Sequence, residues 1–206
     1  TEGYLDYYFN TDEMVYYSSA IHKWSTAGSE RLRIDSSGRV MIGNTAAAQM
    51  YSGADNLVIG TTSGENGITI ISQSNSVGRI LFSDSLTSGA ATYQGQLNYN
   101  HSTDELVIST YTLGQIVMKT SNTERLRITS NGHVLPGANN TYDLGSTAKG
   151  WRNVYMNDLN LSNMKGNTND VDGTQGSWTI QEGKDDLYII NRLNGKKFKI
   201  KMEEMS

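Results

Sequence analysis

The residues best suited to chemistry in this 206-residue chain are its carboxylates, because the chain has no cysteine and only three histidines. Two carboxylates facing one glycosidic bond are the usual machinery of glycan hydrolysis. Adjacent acidic pairs occur at Asp12/Glu13, Asp104/Glu105, Asp185/Asp186 and Glu203/Glu204. Neighbours on a strand point to opposite faces of a sheet, so such a pair cannot face one bond within a single chain. A carboxylate pair formed between two chains stays open as a hydrolase site.

The three histidines do not support a catalytic triad or a metal site. His22, His101 and His133 lie far apart in the sequence, and no Gly-x-Ser-x-Gly motif accompanies them. The stretch Asn169–Gly173 resembles part of a calcium loop, but Thr179 stands where such a loop needs a bidentate glutamate. Turn formation by Asp and Asn is the simpler interpretation. The sequence therefore predicts no enzyme, no catalytic residue, no metal and no cofactor.

Charge and hydropathy argue against two further classes of function. Lys197, Lys199 and Lys201 form a basic row, but Glu203 and Glu204 follow it, and the net charge of the chain is −4. A strongly basic nucleic-acid-binding protein would carry the opposite balance. No apolar run approaches the roughly 18 residues of a membrane span. We therefore expect no nucleic acid and no membrane insertion, and we assign the lysines to the solvent face of a hairpin.

The elements that would position any site come from an internal repeat. The sequence ERLRIDSSGRV at residues 30–40 recurs as ERLRITSNGHV at residues 124–134. In each copy the alternation of apolar and charged residues predicts a strand with one buried face. Gly38 and Gly132 close the turn that follows, where a positive φ favours glycine. Each copy is therefore a predicted β-hairpin.

The repeat extends beyond the hairpin into two whole modules. Residues 3–15 match residues 95–107 at an offset of 92, and the hairpins match at an offset of 94. The chain therefore contains two copies of one module. We expect each copy to bury its apolar face against neighbours. Arg39 in the first copy stands where the second has His133, so we expect a solvated side chain at this position.

The remaining segments predict short strands joined by polar turns. Aromatic and β-branched residues bounded by Gly, Ser and Asn clusters predict strands at residues 4–9, 14–17, 21–24, 56–60, 67–71, 78–83, 106–109, 115–119, 178–181 and 187–192. Ala46–Met50 is a short connector. Residues 141–163 predict a turn and two short strands, one of them at residues 151–155. Asn194-Gly195, flanked by alternating residues, predicts a hairpin with a type I′ turn.

Composition indicates that the chain completes its core with other chains. Hydrophobic residues make up 36% of it, with 21 glycines, which is low for an ordinary globular domain. The strand patterns argue against disorder. The sequence therefore predicts four segments of an all-β oligomer: a first β-repeat module (1–45), a connecting β segment (46–94), a second module (95–140) and a C-terminal β domain (141–206).

Several stretches resemble fibre proteins of tailed phages. Residues 29–43 are similar to a repeat of phage tail fibres and tailspike-like proteins, and residues 95–102 resemble the segment that precedes this repeat in such fibres. Residues 141–155 share this likeness. Residues 169–200 are similar to the C-termini of fibre-like structural proteins of marine and cyanobacterial phages. The likeness covers most of the chain and is specific to fibres as a class.

The resemblance implies an elongated, fibrous homotrimer, built like a β-prism or β-solenoid and ending in a small C-terminal β-hairpin domain. It implies an extracellular place in the virion, as a tail-fibre component that contacts other phage tail proteins. It also implies host attachment through a surface glycan or an outer-membrane receptor. Unlike many relatives, the chain does not end in a self-cleaving chaperone, so autoproteolysis is not carried over. In such a trimer Leu32, Ile34, Leu126 and Ile128 would lie inside, with the arginines outside or in ion pairs between chains.

Two alternatives stay open from the sequence. One is a tailspike-type glycan depolymerase with a carboxylate site between subunits. The other is a monomeric β-solenoid adhesin of a cell surface. Trp151 and Trp178 are candidate glycan-contact aromatics, although packing in a core is the more common role of such residues.

Overall fold

Short β-strands make up the regular structure of the chain in a computed structural model that describes residues 4–8, 13–17, 20–46, 50–85 and 93–203. These ranges contain sixteen strands and no helix, which confirms the all-β prediction. Accordingly, no helix in these ranges is long and apolar enough to cross a membrane. The strands are β1 Tyr4–Tyr8, β2 Glu13–Tyr17, β3 His22–Thr26, β4 Ser29–Ile34, β5 Val40–Ile42, β6 Leu57–Ile59, β7 Val77–Ser83, β8 Tyr93–Asn100, β9 Glu105–Thr110, β10 Ile116–Thr120, β11 Thr123–Ile128, β12 Val134–Pro136, β13 Asp158–Ser162, β14 Ser177–Glu182, β15 Leu187–Asn191 and β16 Lys197–Lys199.

The strands form five small sheets in two compact units of the chain. The unit Thr1–Ser72 holds the pair β1-β2 and the sheet β3-β4-β5-β6. The unit Gln73–Ser206 holds the sheets β7-β8-β9, β10-β11-β12 and β13-β14-β15-β16. In each sheet the strands lie side by side in their sequence order, so every sheet is a local structure.

The hairpin that begins each module has the same pairing in both copies. In the first copy Tyr4 pairs with Tyr17 along β1 and β2. In the second copy Gln96 pairs with Ser109 along β8 and β9, which is the same pairing moved by 92 residues. The offset found in the sequence therefore corresponds to one backbone register, and the repeat is structural.

The meander that follows is also repeated. His22 pairs with Ile34 in β3 and β4, and Ile116 pairs with Ile128 in β10 and β11, a shift of 94 residues. Both pairs of strands contain a β-bulge at the corresponding position. A third antiparallel strand, β5 or β12, completes each meander. Bulges bend a strand and increase its twist, so the two copies share this local shape.

The turn between the second and third strands of each meander is closed by a glycine. Gly38 and Gly132 have φ angles of 79° and 81°. Each donates its N–H over 2.9 Å to a backbone carbonyl, that of Asp35 in the first copy and that of Thr129 in the second. A residue with a Cβ is strained at such angles. The turn glycines predicted from the sequence are confirmed.

The first meander carries a fourth strand that the second does not have within the described residues. Strand β6 pairs in parallel with β5, with Val40 opposite Leu57. The Val40 N–H donates to the Asn56 carbonyl over 2.8 Å, and the Gly60 N–H donates to the Ile42 carbonyl over 2.9 Å. The outer edge of β5 is therefore occupied by the chain itself.

Arg39 fastens this fourth strand to the turn of the hairpin. Its guanidinium lies 2.7 Å from the Asp35 carboxylate and 3.0 Å from the Asp55 carboxylate. The side chain of Arg39 is only 21% exposed, so the expectation of a solvated position is wrong for the first copy. The second copy has Thr129 and His133 at the equivalent positions, and His133 is exposed. The ion pairs thus occur where there is a fourth strand to hold.

Pro136 explains why the second meander ends at its third strand. It occupies the position of Ile42 in the first copy, 94 residues earlier. N–H groups alternate between the two sides of a strand, and since the Gly43 N–H donates to the Arg31 carbonyl, the Ile42 N–H points to β6. Proline has no N–H, and it is confined to strand edges or bulges for this reason. A parallel partner of β12 would lack that hydrogen bond.

Lowering the pH is expected to loosen β6. Arg39 lowers the pKa of the Asp35 carboxyl below its ordinary value of 3.8 through its side-chain hydrogen bond, and backbone N–H groups add to the effect. A carboxyl with a lowered pKa in the folded state stabilises that state above its unfolded pKa and stops doing so as the pH falls through the folded pKa. Protection of the Val40 and Gly60 amides against hydrogen exchange should therefore fall below about pH 4. The variant Asp35→Thr, which carries the residue of the second copy, should start with lower protection and lose this pH dependence. Equal protection in both proteins at pH 7 would contradict the role of Asp35.

Most predicted strands are confirmed, with ends that differ by one or two residues. The strand predicted at residues 67–71 is wrong. Residues Gly67–Ile71 form no strand and make no backbone hydrogen bond to the described part of the chain. A strand requires a partner, which this segment does not find. Its isoleucines Ile68 and Ile71 are 69% and 90% exposed.

Two predictions near the C-terminus also need correction. Residues 151–155 are irregular, so residues 141–163 contain one strand, β13, and an isolated bridge between Ser146 and Lys149. Asn194-Gly195 is not a type I′ turn, because only Gly195 has a positive φ, of 74°. The Gly195 N–H instead donates to the Asn191 carbonyl in a longer loop. Three predicted stretches reach outside the described residues: Phe9, residues 47–49 of the connector and Asp12.

Candidate functional site

One face of the sheet β3–β6 carries apolar side chains from all four strands. Paired residues of neighbouring strands point to the same face. The register places the following residues on this face: His22, Trp24, Leu32, Ile34, Val40, Ile42, Leu57 and Ile59. Trp24 is 48% exposed and Leu57 is 55% exposed. None of these eight side chains is buried.

The opposite face of the same sheet is polar and paired within the chain. Arg33 donates to the two carboxylate oxygens of Glu30, in one case over 2.7 Å, and Lys23 lies 3.8 Å from the same group. The hydrogen bond from Arg33 lowers the pKa of the Glu30 carboxyl. Met41 pairs with Arg33 in the register and is 1% exposed. Among the described residues it is the one buried apolar side chain, so this face is completed without a partner.

The second meander repeats this division between the faces. Its apolar face consists of Ile116, Met118, Leu126, Ile128, Val134 and Pro136. On its other face Arg127 donates to Glu124 over 2.6 Å and 2.5 Å, as Arg33 does to Glu30. The hydrogen bond from Arg127 lowers the pKa of Glu124. The alternation predicted from the sequence is therefore confirmed in both copies.

Arg125 connects the second meander to the segment that follows it. Its Nε donates to the Thr120 hydroxyl over 2.8 Å, as Arg31 Nε donates to the Thr26 hydroxyl in the first copy. In addition, Arg125 Nη1 donates to the Tyr142 hydroxyl over 2.9 Å, and its guanidinium lies 5.1 Å from the Tyr142 ring centroid. A cation above an aromatic ring adds a modest attraction. This contact anchors the chain where it leaves the repeat.

The sheet β7–β9 has the same two-sided character. Its apolar face consists of Ile80, Phe82, Leu97, Tyr99, Leu106 and Ile108. Phe82 is 63% exposed and Leu106 is 68% exposed. On the other face Gln96 donates to the Ser109 hydroxyl over 2.9 Å, and Asn98 is buried. One face of this sheet therefore exposes large apolar side chains, while the other carries the hydrogen-bonded pair Gln96 and Ser109.

The C-terminal sheet β13–β16 follows the same rule. Its apolar face consists of Leu159, Leu161, Trp178, Ile180, Leu187, Ile189 and Phe198. On the polar face Thr179 is completely buried. Its hydroxyl donates to Asn160 Oδ1 over 2.6 Å and accepts from Arg192 Nε over 2.8 Å. A buried hydroxyl with both partners costs little, so this face is also complete.

Apolar exposure of this extent is unusual for a chain of 22.7 kDa. Only Met41, Asn98 and Thr179 are buried among the residues whose side chains the structure describes. Large contiguous apolar patches mark interaction surfaces. Each of the four apolar faces is a candidate interaction surface, and we call them the assembly faces.

The two candidate aromatics lie in different surroundings. Trp178 is part of an assembly face, where its ring centroid lies 5.9 Å from that of Phe198. Trp151 is 66% exposed, and its ring lies beside the turn at Gly145. The structure does not bring the two tryptophans together as one platform.

The adjacent carboxylates take part in local contacts. Asp104 accepts a hydrogen bond from the Tyr99 hydroxyl over 3.2 Å, and Glu105 accepts one from the Thr103 hydroxyl over 2.7 Å. The bond to Asp104 raises the pKa of Tyr99. Two members of the other pairs lie outside the described residues: Asp12 and Glu204. No group of three or more His, Asp or Glu residues that could hold a metal occurs in the described ranges.

The loop that resembles part of a calcium site uses its oxygens internally. Asn169 Oδ1 accepts hydrogen bonds from the Val171 and Asp172 amides, over 2.9 Å and 3.0 Å. Asp172 Oδ1 accepts from the Thr174 hydroxyl over 2.7 Å and from the Thr174 amide over 3.0 Å. The side-chain bond from Thr174 lowers the pKa of Asp172. These hydrogen bonds show that Asn169 and Asp172 stabilise the turn, which accounts for their presence in this loop.

The basic row of Lys197, Lys199 and Lys201 begins in β16, the last described strand of the chain. Lys197 and Lys199 lie on the polar face of β16, opposite in direction to Phe198. Lys199 Nζ lies 2.8 Å from Asp186 Oδ2, and this contact raises the pKa of Lys199. One of the three positive charges is therefore balanced within the chain, which weakens any attraction to an anionic polymer.

Fold and surface together define a class: a modular all-β protein in which each of the four sheets with described side chains has one apolar face without buried side chains and one face with hydrogen-bonded polar side chains. Comparisons of the chain with known protein families, curated proteins and solved structures found no match.

Proposed function

We propose that this chain is a structural component of a tailed-phage fibre, assembles as a homotrimer and serves in host attachment. The observation that carries the proposal is that each of the four sheets with described side chains has one uncovered apolar face. A second and third copy of the same chain would supply matching apolar faces. Association of identical chains around an axis buries the same patch on every copy.

The repeat supports an extended assembly of this kind. Two modules with one register each contribute the same apolar face, so a trimer would be held by similar layers that recur along the chain. Repeat proteins gain their stability from contacts between such neighbouring layers. The sequence likeness of residues 29–43 and 169–200 to phage fibres points the same way.

Residues Gly67–Ile71 give further support. They have the β-branched composition of a strand but no ladder partner in the described ranges. Exposed isoleucines in an extended segment favour aggregation unless another chain covers them. In a trimer this segment would pair with, or pack against, a neighbouring chain.

The test is the solution mass of the chain by light scattering on a size-exclusion column. We expect three times 22.7 kDa, with early elution for that mass because the particle is elongated. A monomer at micromolar concentration would overturn the assembly and favour a single-chain adhesin. Binding of the labelled trimer to intact bacterial cells tests host attachment. Release of reducing ends from the polysaccharide of those cells would instead indicate a depolymerase.

A further inference from the structure

The second unit contains a groove that borders the assembly face of β13–β16 at one end. Three adjoining cavities lie between residues 139–140 and the loop 163–176 that joins β13 to β14. The first two have volumes of about 390 Å³ and 410 Å³. Asn163 lines all three cavities, so they form one continuous depression. We call it the asparagine groove.

Hydrogen bonds within the chain hold the walls of the groove. Asn139 donates to the Lys165 carbonyl, which joins two segments 26 residues apart. Asn163 Oδ1 accepts from the Gly176 amide over 2.6 Å, and its Nδ2 donates to the Thr174 carbonyl over 3.2 Å. These amides are therefore committed to structure, and they fix the shape of the groove before any ligand arrives.

Two other asparagines leave their side-chain amides available. Asn140 and Asn167 line the groove, and neither side chain makes a hydrogen bond with the described residues. Each amide offers two donors and an acceptor with two lone pairs. A primary amide can therefore bind two neighbouring hydroxyl groups at once, one as donor and one as acceptor.

Charge and shape narrow the class of ligand. The groove is lined by one cation, Lys165, and one anion, Asp170, so its net charge is zero. At one end it is lined by Trp178 and Leu161, which belong to the assembly face of β13–β16. Amide groups in a groove without net charge suit an uncharged, polyhydroxylated ligand.

We propose that the asparagine groove binds a neutral oligosaccharide. This inference rests on the proposed function, since it names a ligand class through which a fibre could attach to a host. The volume of the first two cavities together accommodates more than one sugar ring. A chain of sugars would run past Asn163 toward Asn140 and Asn167.

The proposal is tested on the full-length assembled protein with saturation-transfer NMR and calorimetry. The probes are a panel of neutral trisaccharides that includes maltotriose and triacetylchitotriose, with trigalacturonate as an anionic comparison. We expect at least one neutral trisaccharide to bind in preference to trigalacturonate. The double variant Asn140→Gly/Asn167→Ala should weaken that binding about tenfold, as expected for the loss of two hydrogen bonds of ordinary strength.

The matched control is Asn122→Gly. Asn122 and Asn140 both have a positive φ, of 59° and 52°, so replacement by glycine suits the backbone at both places. Asn122 lies in the turn between β10 and β11, outside the groove, and the first copy has Gly28 at this position. We expect unchanged binding in this control. Equal binding by the double variant, preference for the anionic probe, or no binding to the panel would overturn the proposal.

The same samples separate this proposal from the proposed function. A trimer that binds none of the neutral sugars would overturn the groove and leave the fibre assembly standing. A monomer that binds a neutral sugar, with loss of binding in the double variant, would overturn the assembly and support the groove. Light scattering and binding are therefore measured on each preparation.

Discussion

Leu126→Asp is expected to abolish trimer formation. Leu126 lies in the central strand of the second meander, where it pairs with Met118 on one side and Pro136 on the other. A carboxylate at the centre of an apolar face between chains would lose its hydration without a partner, at a cost of several kcal/mol per ion. Three copies meet in each particle, so the penalty is multiplied. Light scattering should give the mass of a single chain at concentrations where the native chain gives three times that mass.

The control for this prediction is Val117→Asp on the opposite face of the same sheet. Val117 is 40% exposed and pairs with Arg127. The first copy has Lys23 at the equivalent position, so the module accepts a charged residue there. We expect this variant to form trimers as the native chain does. Leu126→Asp protein that remained fully trimeric would show that the chains do not meet through this face.

Gly137→Ala is expected to destabilise the second module by about 3 kcal/mol, the upper end of the range for forced overpacking. The Gly137 N–H donates to the Arg125 carbonyl over 2.9 Å. A Cβ added to Gly137 would lie 2.6 Å from the Glu124 carbonyl carbon and closer still to its oxygen. Backbone atoms must separate to relieve this contact, and the last rung between β11 and β12 is then lost. The variant should melt several degrees lower, with faster hydrogen exchange in these two strands.

Gly150→Ala provides the matched control in the same unit. A Cβ at Gly150 would meet no atom within 4 Å, so the substitution should change the free energy of unfolding by less than about 0.5 kcal/mol. If Gly137→Ala were as stable as this control, the close approach of residues 124 and 137 would not exist in solution.

The repeated hairpins could be predicted from sequence because their signals are local. Alternation of residues 30–34 and 124–128 sets the faces, and the turn glycines follow within four residues. The structure confirms both, together with most of the strands. In contrast, residues 67–71 have the composition of a strand but no partner. Strand composition predicts which residues can pair, whereas the presence of a partner depends on the rest of the assembly.

Equivalent positions of the repeat can be conserved for different physical reasons, which the sequence does not reveal. Gly43 and Gly137 correspond across the two copies. Gly43 has a φ of 72°, and a Cβ there would make only ordinary van der Waals contacts, the nearest at 3.8 Å to Thr61 Cγ2. Gly137 has no such φ but has no room for a Cβ. Glycine therefore suits residue 43 because of its backbone conformation, and it suits residue 137 because it has no Cβ.

The candidate site was only partly accessible to sequence analysis. The apolar faces follow from period-two alternation, and Leu32, Ile34, Leu126 and Ile128 lie on them as expected. The asparagine groove joins residues 139–140 to residues 163–176, which become neighbours through the fold. The density of asparagines in both segments was the one available signal, and turns account for such density equally well.

The edge of β12, where Pro136 lacks an N–H, bears on how the proposed fibres would pack beside one another. Fibres packed side by side at high local density risk fusing through their open strand edges into ribbons. A proline at the edge denies a neighbouring fibre one of the hydrogen bonds such fusion needs. In the first module, β6 covers the corresponding edge of β5 and has the same effect. Each module thus carries its own protection against edge-to-edge association, and in the fibre proposed above this protection would keep neighbouring fibres separate.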